Sequence, residues 1–388
     1  MIINNPLRYT ISRILRAVFF AVVAAVPVAV QAQLPTAQEI ASRMTVGWNL
    51  GNTLEAIRGE TSWGGAITTQ KLIDAVKDAG FDTVRIPCAW DCHSRDGVID
   101  PAWIARVKEV VDYCINDDLY VILNIHWDGG WLENHVTPEA QEKVNIKQAK
   151  YWKQIAEYFK DYDEHLLFAG TNEPNVEDAT GMAVLMVYLQ TFIDTVRSTG
   201  GNNSSRTLVV QGPSTDIKKT NELMDTLPRD SIEDRLIMEI HYYTPYQFCI
   251  MDKDEDWGGM FYYWGKDYHS TTDTKRNATK GEEDEVERLF GLMKTKFVDQ
   301  GIPVIIGEFA ATKRRLFWKT KRELHQASRE HFYRYVVGSA VEKGMIPYCW
   351  DVNRQLFNRS SGKILDPGVL NAIMSGTGIS SSSDKDEK

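Results

Sequence analysis

The chain has no surplus of positive charge: 44 Lys and Arg stand against 53 Asp and Glu, for a formal net charge of −9 over 388 residues. A basic footprint for nucleic acid is therefore missing, and an acidic surface disfavours anionic membranes and anionic substrates. Cysteine is scarce. Cys88, Cys92, Cys114, Cys249 and Cys349 are odd in number, so at least one is free or pairs between chains, and scattered structural cysteines are the expectation. Cys88 and Cys92 lack the second pair and the histidine spacing of a zinc site, and no H-x-H or H-E-x-x-H occurs. There is no Gly-rich phosphate turn, internal repeat or Pro/Thr linker, and no apolar run reaches the roughly 20 residues of a membrane-spanning helix.

What is present is the composition of a soluble globular protein, 43% hydrophobic and 25% charged. Its 11 Trp and 16 Tyr exceed ordinary usage, which suits either large core residues or flat ligands such as sugar rings. Residues 1–32 carry Arg8, Arg13 and Arg16 without an acid, then the apolar run Ala17–Val30 and a small-residue end at Ala32. That is the pattern of a signal peptide, so the protein is expected to be secreted or periplasmic, with no membrane association after cleavage. The tail 380–388 has no apolar residue and is expected to be disordered. The Asn-x-Ser/Thr triplets at Asn202, Asn203, Asn277 and Asn358 are read as plain surface residues.

Between these ends, eight apolar, β-branched runs alternate with amphipathic stretches. The expected strands are 45–49, 83–87, 120–125, 166–171, 207–211, 236–241, 303–308 and 345–350; the helices are 69–79, 101–115, 141–162, 181–198, 283–299 and 321–343. Gly80, Gly200, Gly301 and Gly344 stand just past helix ends, where a left-handed residue closes the last turn. Strands apolar throughout, each followed by a helix, imply a parallel sheet covered on both faces. Eight such units predict a single α/β domain over 33–379, a (β/α)8 TIM barrel with its cleft at the C-terminal strand ends. The long connection 242–282, rich in Trp257, Phe261, Tyr262, Tyr263 and Trp264, is expected to wall that cleft.

Those strand ends read as a polar ring: Asn49 and Asn52, Arg85, His126 with Trp127, Asn172 with Glu173, Gln211, His241 with Tyr243, Glu308, and Trp350 with Asp351. An unsatisfied buried polar group costs about 1–3 kcal/mol, so such a ring does not accumulate without use. Glu173 and Glu308 end the fourth and seventh strands, facing each other across a barrel mouth. Two such carboxyls can protonate a glycosidic oxygen and attack its anomeric carbon. They could also hold a divalent metal, but neither has an Asp/His cluster beside it, and the acid–base reading is preferred, with no metal and no cofactor.

The segments Met44–Ala56, Val84-Arg-Ile-Pro87, Leu123-Asn-Ile-His126, Asn172-Glu-Pro174, His241-Tyr-Tyr-Thr-Pro245 and Gly307-Glu-Phe309 resemble glycoside hydrolase family 5, nearest its secreted bacterial endo-β-1,4-glucanases (cellulases). The resemblance runs from about residue 37 to 379. It implies a retaining enzyme with Glu173 as acid/base and Glu308 as nucleophile. It further implies that Asn172 binds the 2-hydroxyl of the −1 sugar, Arg85 and Tyr243 position Glu308, and His126 and His241 line that subsite above the Trp350 platform. Asn52 and Trp127 join the substrate-binding set. Two positions depart from many relatives: Ala169 replaces a Glu, and Trp127 replaces a second His. With Trp131, Trp127 either adds a stacking surface or packs under the loop 128–135. The expected partner is a β-glucan polymer, bound by a monomer. Xyloglucan, glucomannan, mannan and mixed-linkage glucan stay open as polymers, and an inactive carbohydrate-binding protein and a metal-dependent hydrolase as other classes. Glu173 is expected to be the more basic carboxyl, raised by burial and by repulsion from Glu308.

Overall fold

The computed structural model describes residues 34–378; the proposed signal peptide and the tail 380–388 lie outside them. Eight parallel strands close into a barrel in sequence order. They are β1 Gly47–Leu50, β2 Thr83–Ile86, β3 Tyr120–Asn124, β4 Leu166–Ala169, β5 Leu208–Gln211, β6 Leu236–Tyr242, β7 Val304–Phe309 and β8 Met345–Asp351. All eight coincide with the expected runs to within a few residues. Strands that are mostly apolar on both faces must be covered on both, and the ladder shifts register at β7, opposite Pro347/Cys349 and Ile240/His241.

Alternation along the strands splits the core in two. Tyr120, Ile122, Leu167, Val209, Ile237, Ile305, Ile346 and Tyr348 fill the lower barrel, closed from below by Ile40 and Met44 beside the short helix Ala37–Ala41. The opposite strand face, with Val84, Val121, Phe168, Val210 and Ile306, packs on the surrounding helices. The long helices start where their sequences offer a cap. Asp100 precedes Pro101–Asn116 and accepts from Ala102 N, while Asp178 precedes Ala179–Ser198 and accepts from Thr180 N and Gly181 N. Gly80, Gly200, Gly301 and Gly344 all have positive φ, as their positions demanded.

Four short helices escaped the sequence reading: Ala37–Ala41, Ile217–Leu223, Tyr246–Cys249 and Pro367–Gly376. The first three are too brief for a periodic signal. So did the small hairpin Ser94–Arg95/Val98–Ile99. The five cysteines are unpaired, and all but Cys92 are buried. Asn203 is not a surface residue. It is fully buried, donating to Ala156 O at 2.7 Å and accepting from Arg206 Nε at 2.7 Å, so it secures a buried arginine after a helix end.

Close packing at the barrel floor fixes one glycine. The fully buried Tyr348 ring lies across Gly47, where any Cβ would overlap it, and its hydroxyl meets Thr83 Oγ1 at 2.9 Å. Gly47→Ala is therefore expected to lower unfolding stability by about 1–3 kcal/mol through overpacking. A guanidinium unfolding midpoint equal to that of the parent protein would refute this packing.

Candidate active site

Alternation along β6 places Ile237, Glu239 and His241 toward the barrel interior, and β2 brings Arg85 to the same level. Arg85 and Glu239 are both fully buried and pair at 2.9 Å. The remaining Arg85 donors leave the barrel axis upward. Nη1 reaches Glu308 Oε1 at 2.9 Å and Asn49 Oδ1 at 3.0 Å, and Nη2 reaches Asn172 Oδ1 at 2.8 Å. Gln211 donates to the other Glu239 oxygen at 2.5 Å and accepts from Thr171 N at 3.0 Å. Asn49 in turn donates to Gly307 O at 2.8 Å. Gly307 has to be glycine, since a Cβ there would collide with the Glu239 carboxylate.

Above this layer stand the two glutamates at the strand ends. Tyr243 Oη donates to Glu308 Oε2 at 2.9 Å, so both nucleophile-candidate oxygens are held. His241 Nδ1 lies 2.7 Å from Glu173 Oε1 and 3.8 Å from Glu308 Oε2, and its Nε2 lies 3.3 Å from Glu239 Oε1. Oxygens of Glu173 and Glu308 and a ring nitrogen of His241 lie within 4.8 Å of one another. Glu173, Tyr243, Glu308 and Trp350 open onto a cleft of about 370 Å³, shared with Cys249, Ile250, Thr312 and Gln355. The Trp350 ring lies parallel to that of His126, with centroids 5.8 Å apart.

With both ring nitrogens aimed at carboxylates, His241 can satisfy all of them only as the imidazolium. Burial opposes that charge, but Glu308, Glu173 and Glu239 outweigh it and push the imidazole up to about 10. For Glu173 burial acts upward, yet the hydrogen bond and charge of His241 win and hold it below the ordinary carboxylate value. This corrects the expectation of a raised Glu173 in the free site. The reason is a cation contributed by β6 that strand-end reading did not place against Glu173. His126 is kept well below its usual value by burial and by Arg85 and His241, so it is neutral. Burial and the neighbouring Glu308 and Glu173 keep Tyr243 a neutral phenol. Glu173, His241 and Glu308 have the spacing of metal ligands. These carboxylates already have partners, Glu308 in Arg85 and Tyr243 and Glu173 in His241.

The structure thus brings Arg85, Asn172, Glu173, His241, Tyr243 and Glu308 into one network and stacks His126 on Trp350. Asn52 stays outside it, on the turn after β1 at φ 55°, where its backbone N–H is held by the buried Glu55. Trp127 is exposed at the end of β3, whereas Trp131 packs edge-on against Tyr151 at 5.7 Å, so the two do not pack together under the loop. In the long loop, Trp257 is 65% exposed but Tyr263 and Trp264 are fully buried, so only part of that segment can meet a ligand.

Sequence reasoning missed two acids. Glu239 lies inside an apolar strand, and its signal was a charge two residues before His241 on the same face. Glu133 is buried on the loop after β3 and accepts from Glu173 N at 2.8 Å; its only signal was proximity to His126.

A family model described as cellulase (glycosyl hydrolase family 5) matches residues 49–355. The chain is 37% identical over 366 residues to the xyloglucan-specific endo-β-1,4-glucanase BoGH5A of Bacteroides ovatus, covering 88% of this chain and 70% of that protein. Endoglucanase A of Paenibacillus barcinonensis is 34% identical, with 88% and 90% covered. Among solved structures, XEG5B, a xyloglucan-specific β-1,4-glucanase from a ruminal metagenomic library bound to XXLG, superposes with a TM-score of 0.82 at 42% identity, covering 89% and 96%.

The charge of His241 is directly measurable. Its folded value near 10 against an ordinary 6.5 means that it contributes stability fully below about pH 6.5, lost as pH rises toward 10. Nitrogen-15 spectra of histidine-labelled protein at pH 8 should show one imidazolium with two bound protons, absent in His241→Gln. A neutral tautomer at that pH would show the electrostatic reading to be wrong.

Proposed function

The chain belongs to glycosyl hydrolase family 5, and on that premise we propose that it is a retaining endo-glucanase cutting internal β-1,4 bonds of a glucan backbone. The observation that carries this reading is the closeness of Glu173 and Glu308, whose oxygens lie within 4.8 Å at the mouth of the barrel. Retaining glycosidases hold their carboxyls ~5–5.5 Å apart, whereas inverting ones leave room for a water.

In the first step Glu308 attacks the anomeric carbon. Arg85 and Tyr243 fix its two oxygens, so little reorganisation is needed as the bond forms. Glu173 delivers a proton to the departing glycosidic oxygen. In the free site that proton is on His241, one 2.7 Å hydrogen bond away, so the pair acts as a shared proton reservoir. Sugar in the cleft excludes water from Glu173 and favours its protonated form. In the second step Glu173, now a carboxylate, takes a proton from the water that releases the glycosyl group. Asn172, its Oδ1 held by Arg85, is oriented to donate from its amide to the 2-hydroxyl of the −1 sugar, a contact that strengthens in the oxocarbenium-like transition state. Trp350, stacked on neutral His126, offers the flat surface beneath that sugar.

Two of the similar proteins are named for xyloglucan, which supports xyloglucan as the preferred polymer, ahead of β-glucan and cellulose. Every member of the network comes from one chain, so a monomer suffices. The basic, apolar N-terminus supports export to the periplasm or beyond.

Hydrolysis of xyloglucan, barley β-glucan, carboxymethyl cellulose and glucomannan, followed by viscosity and reducing ends together, tests the proposal. A fast viscosity fall on xyloglucan and a slower one on β-glucan are expected. Glu308→Ala should abolish both. Glu173→Ala should lose about 10²–10⁴-fold on polymer and far less on 2,4-dinitrophenyl cellobioside, whose leaving group needs no proton in the first step. No release from any polymer would leave a carbohydrate-binding protein as the better reading.

A further inference from the structure

Glu133 is a buried acid that the mechanism above does not use. It belongs to the loop between β3 and the helix Pro138–Tyr158, and that loop is stitched to the exit of β4 by three hydrogen bonds. Glu173 N donates to Glu133 Oε1 at 2.8 Å, Asn175 N to Glu133 O at 2.9 Å, and Asn175 Nδ2 to Asn134 Oδ1 at 2.6 Å. The other ionisable groups of this loop are committed elsewhere. Asp128 accepts from the backbone of Trp90 at 2.7 Å and Cys92 at 3.2 Å, and His135 Nδ1 meets Gly130 O at 3.2 Å. Glu133 faces the Glu173 and Glu308 carboxylates and the Asn172 amide. Glu173 itself faces cations at Arg85 and His241 and the anion Glu239.

Resting on the reading of Glu173 as acid/base, we infer that Glu133 is its positioning residue: it grips the Glu173 peptide and supplies the negative charge that helps the Glu173–His241 pair keep its shared proton beside Arg85. The grip is structural and the charge is functional, and the two can be separated. Burial raises the Glu133 carboxyl, its bond from Glu173 N lowers it, and the outcome is about 7. Glu133 therefore ionises as pH rises through neutrality, and its charge then opposes loss of the proton that Glu173 shares with His241. Each carboxylate opposes ionisation of the other, so the two titrate as a coupled pair. The result is a Glu173–His241 pair that keeps its shared proton to higher pH than it would without the Glu133 charge.

Glu133→Gln keeps an acceptor for Glu173 N and removes the charge; Glu133→Asp keeps the charge and shortens the grip. The test is the pH profile of kcat/KM on soluble β-glucan and on 2,4-dinitrophenyl cellobioside. Removing a negative charge favours the ionised form of Glu173. Glu133→Gln should therefore move the alkaline limb on β-glucan about half a pH unit or more toward acid, with KM changed less than twofold and the acid limb unmoved. On the dinitrophenyl substrate the alkaline limb should not shift, and Glu133→Asp should keep the parental limb with a lower kcat. An unmoved limb in Glu133→Gln, or an equal pH-independent loss on both substrates, would leave Glu133 with a packing role only. If instead Glu173→Ala loses equally on the two substrates, the acid/base assignment itself has failed. Should Glu133→Gln not fold, carboxyl carbon-13 titration of the parent protein decides, with Glu173→Gln for assignment. A two-step Glu173 titration following that of Glu133 is expected, and a single independent step overturns the inference.

Discussion

One guanidinium organises the upper half of this barrel. Arg85 is buried without contact with solvent, and its donors meet Glu239, Glu308, Asn49 and Asn172, side chains from four other strands or their exits. Removing one partner from a buried ion pair costs about 3–5 kcal/mol, because the remaining charge is stranded. The surrounding sequence is consequently constrained. Glu239 must be present to balance the charge, Gln211 to satisfy its second oxygen, and position 307 must lack a side chain to make room for it. Desolvating so many polar groups is unfavourable for stability by itself. What it secures is a nucleophile candidate whose two oxygens are fixed before any sugar arrives.

The same network distributes protons. His241 is surrounded by three carboxylates, and their charge holds a proton on its ring. A carboxyl that must act first as acid and then as base benefits from a neighbour that can both give and hold a proton. In the proposed reaction the imidazole stores the proton in the free site, and the 2.7 Å contact to Glu173 is the route by which it reaches a leaving group.

Much of this was legible in the amino-acid order. Eight apolar runs separated by amphipathic stretches admit few arrangements other than a closed parallel barrel, and helix-ending glycines at 80, 200, 301 and 344 marked the spacing. Arg85, Glu173, His241, Tyr243 and Glu308 stood at strand ends, so the fold law for such barrels placed them together. Glu239 was hidden because a single acid in an apolar strand reads as noise until its pleat face is known. Glu133 was hidden because loop conformation, not periodicity, carries it to Glu173. The direction of the Glu173 shift was misread for a related reason. Strand order gives neighbours, but not which of three nearby charges is closest. Likewise Trp264 and Trp257 look alike in sequence, and only packing shows that one is core and the other exposed.

If Arg85 and its partners hold Glu308 close enough to Glu173 for direct attack on the sugar, no water stands between carboxylate and anomeric carbon. The stereochemistry of the product decides this. It can be read by proton NMR in the first minutes of cello-oligosaccharide or xyloglucan-oligosaccharide hydrolysis, before mutarotation. The newly formed reducing end should appear first as the β-anomer, the signature of two successive inversions at one carbon. First appearance of the α-anomer would mean that water attacks in a single step and that Glu308 is not the nucleophile.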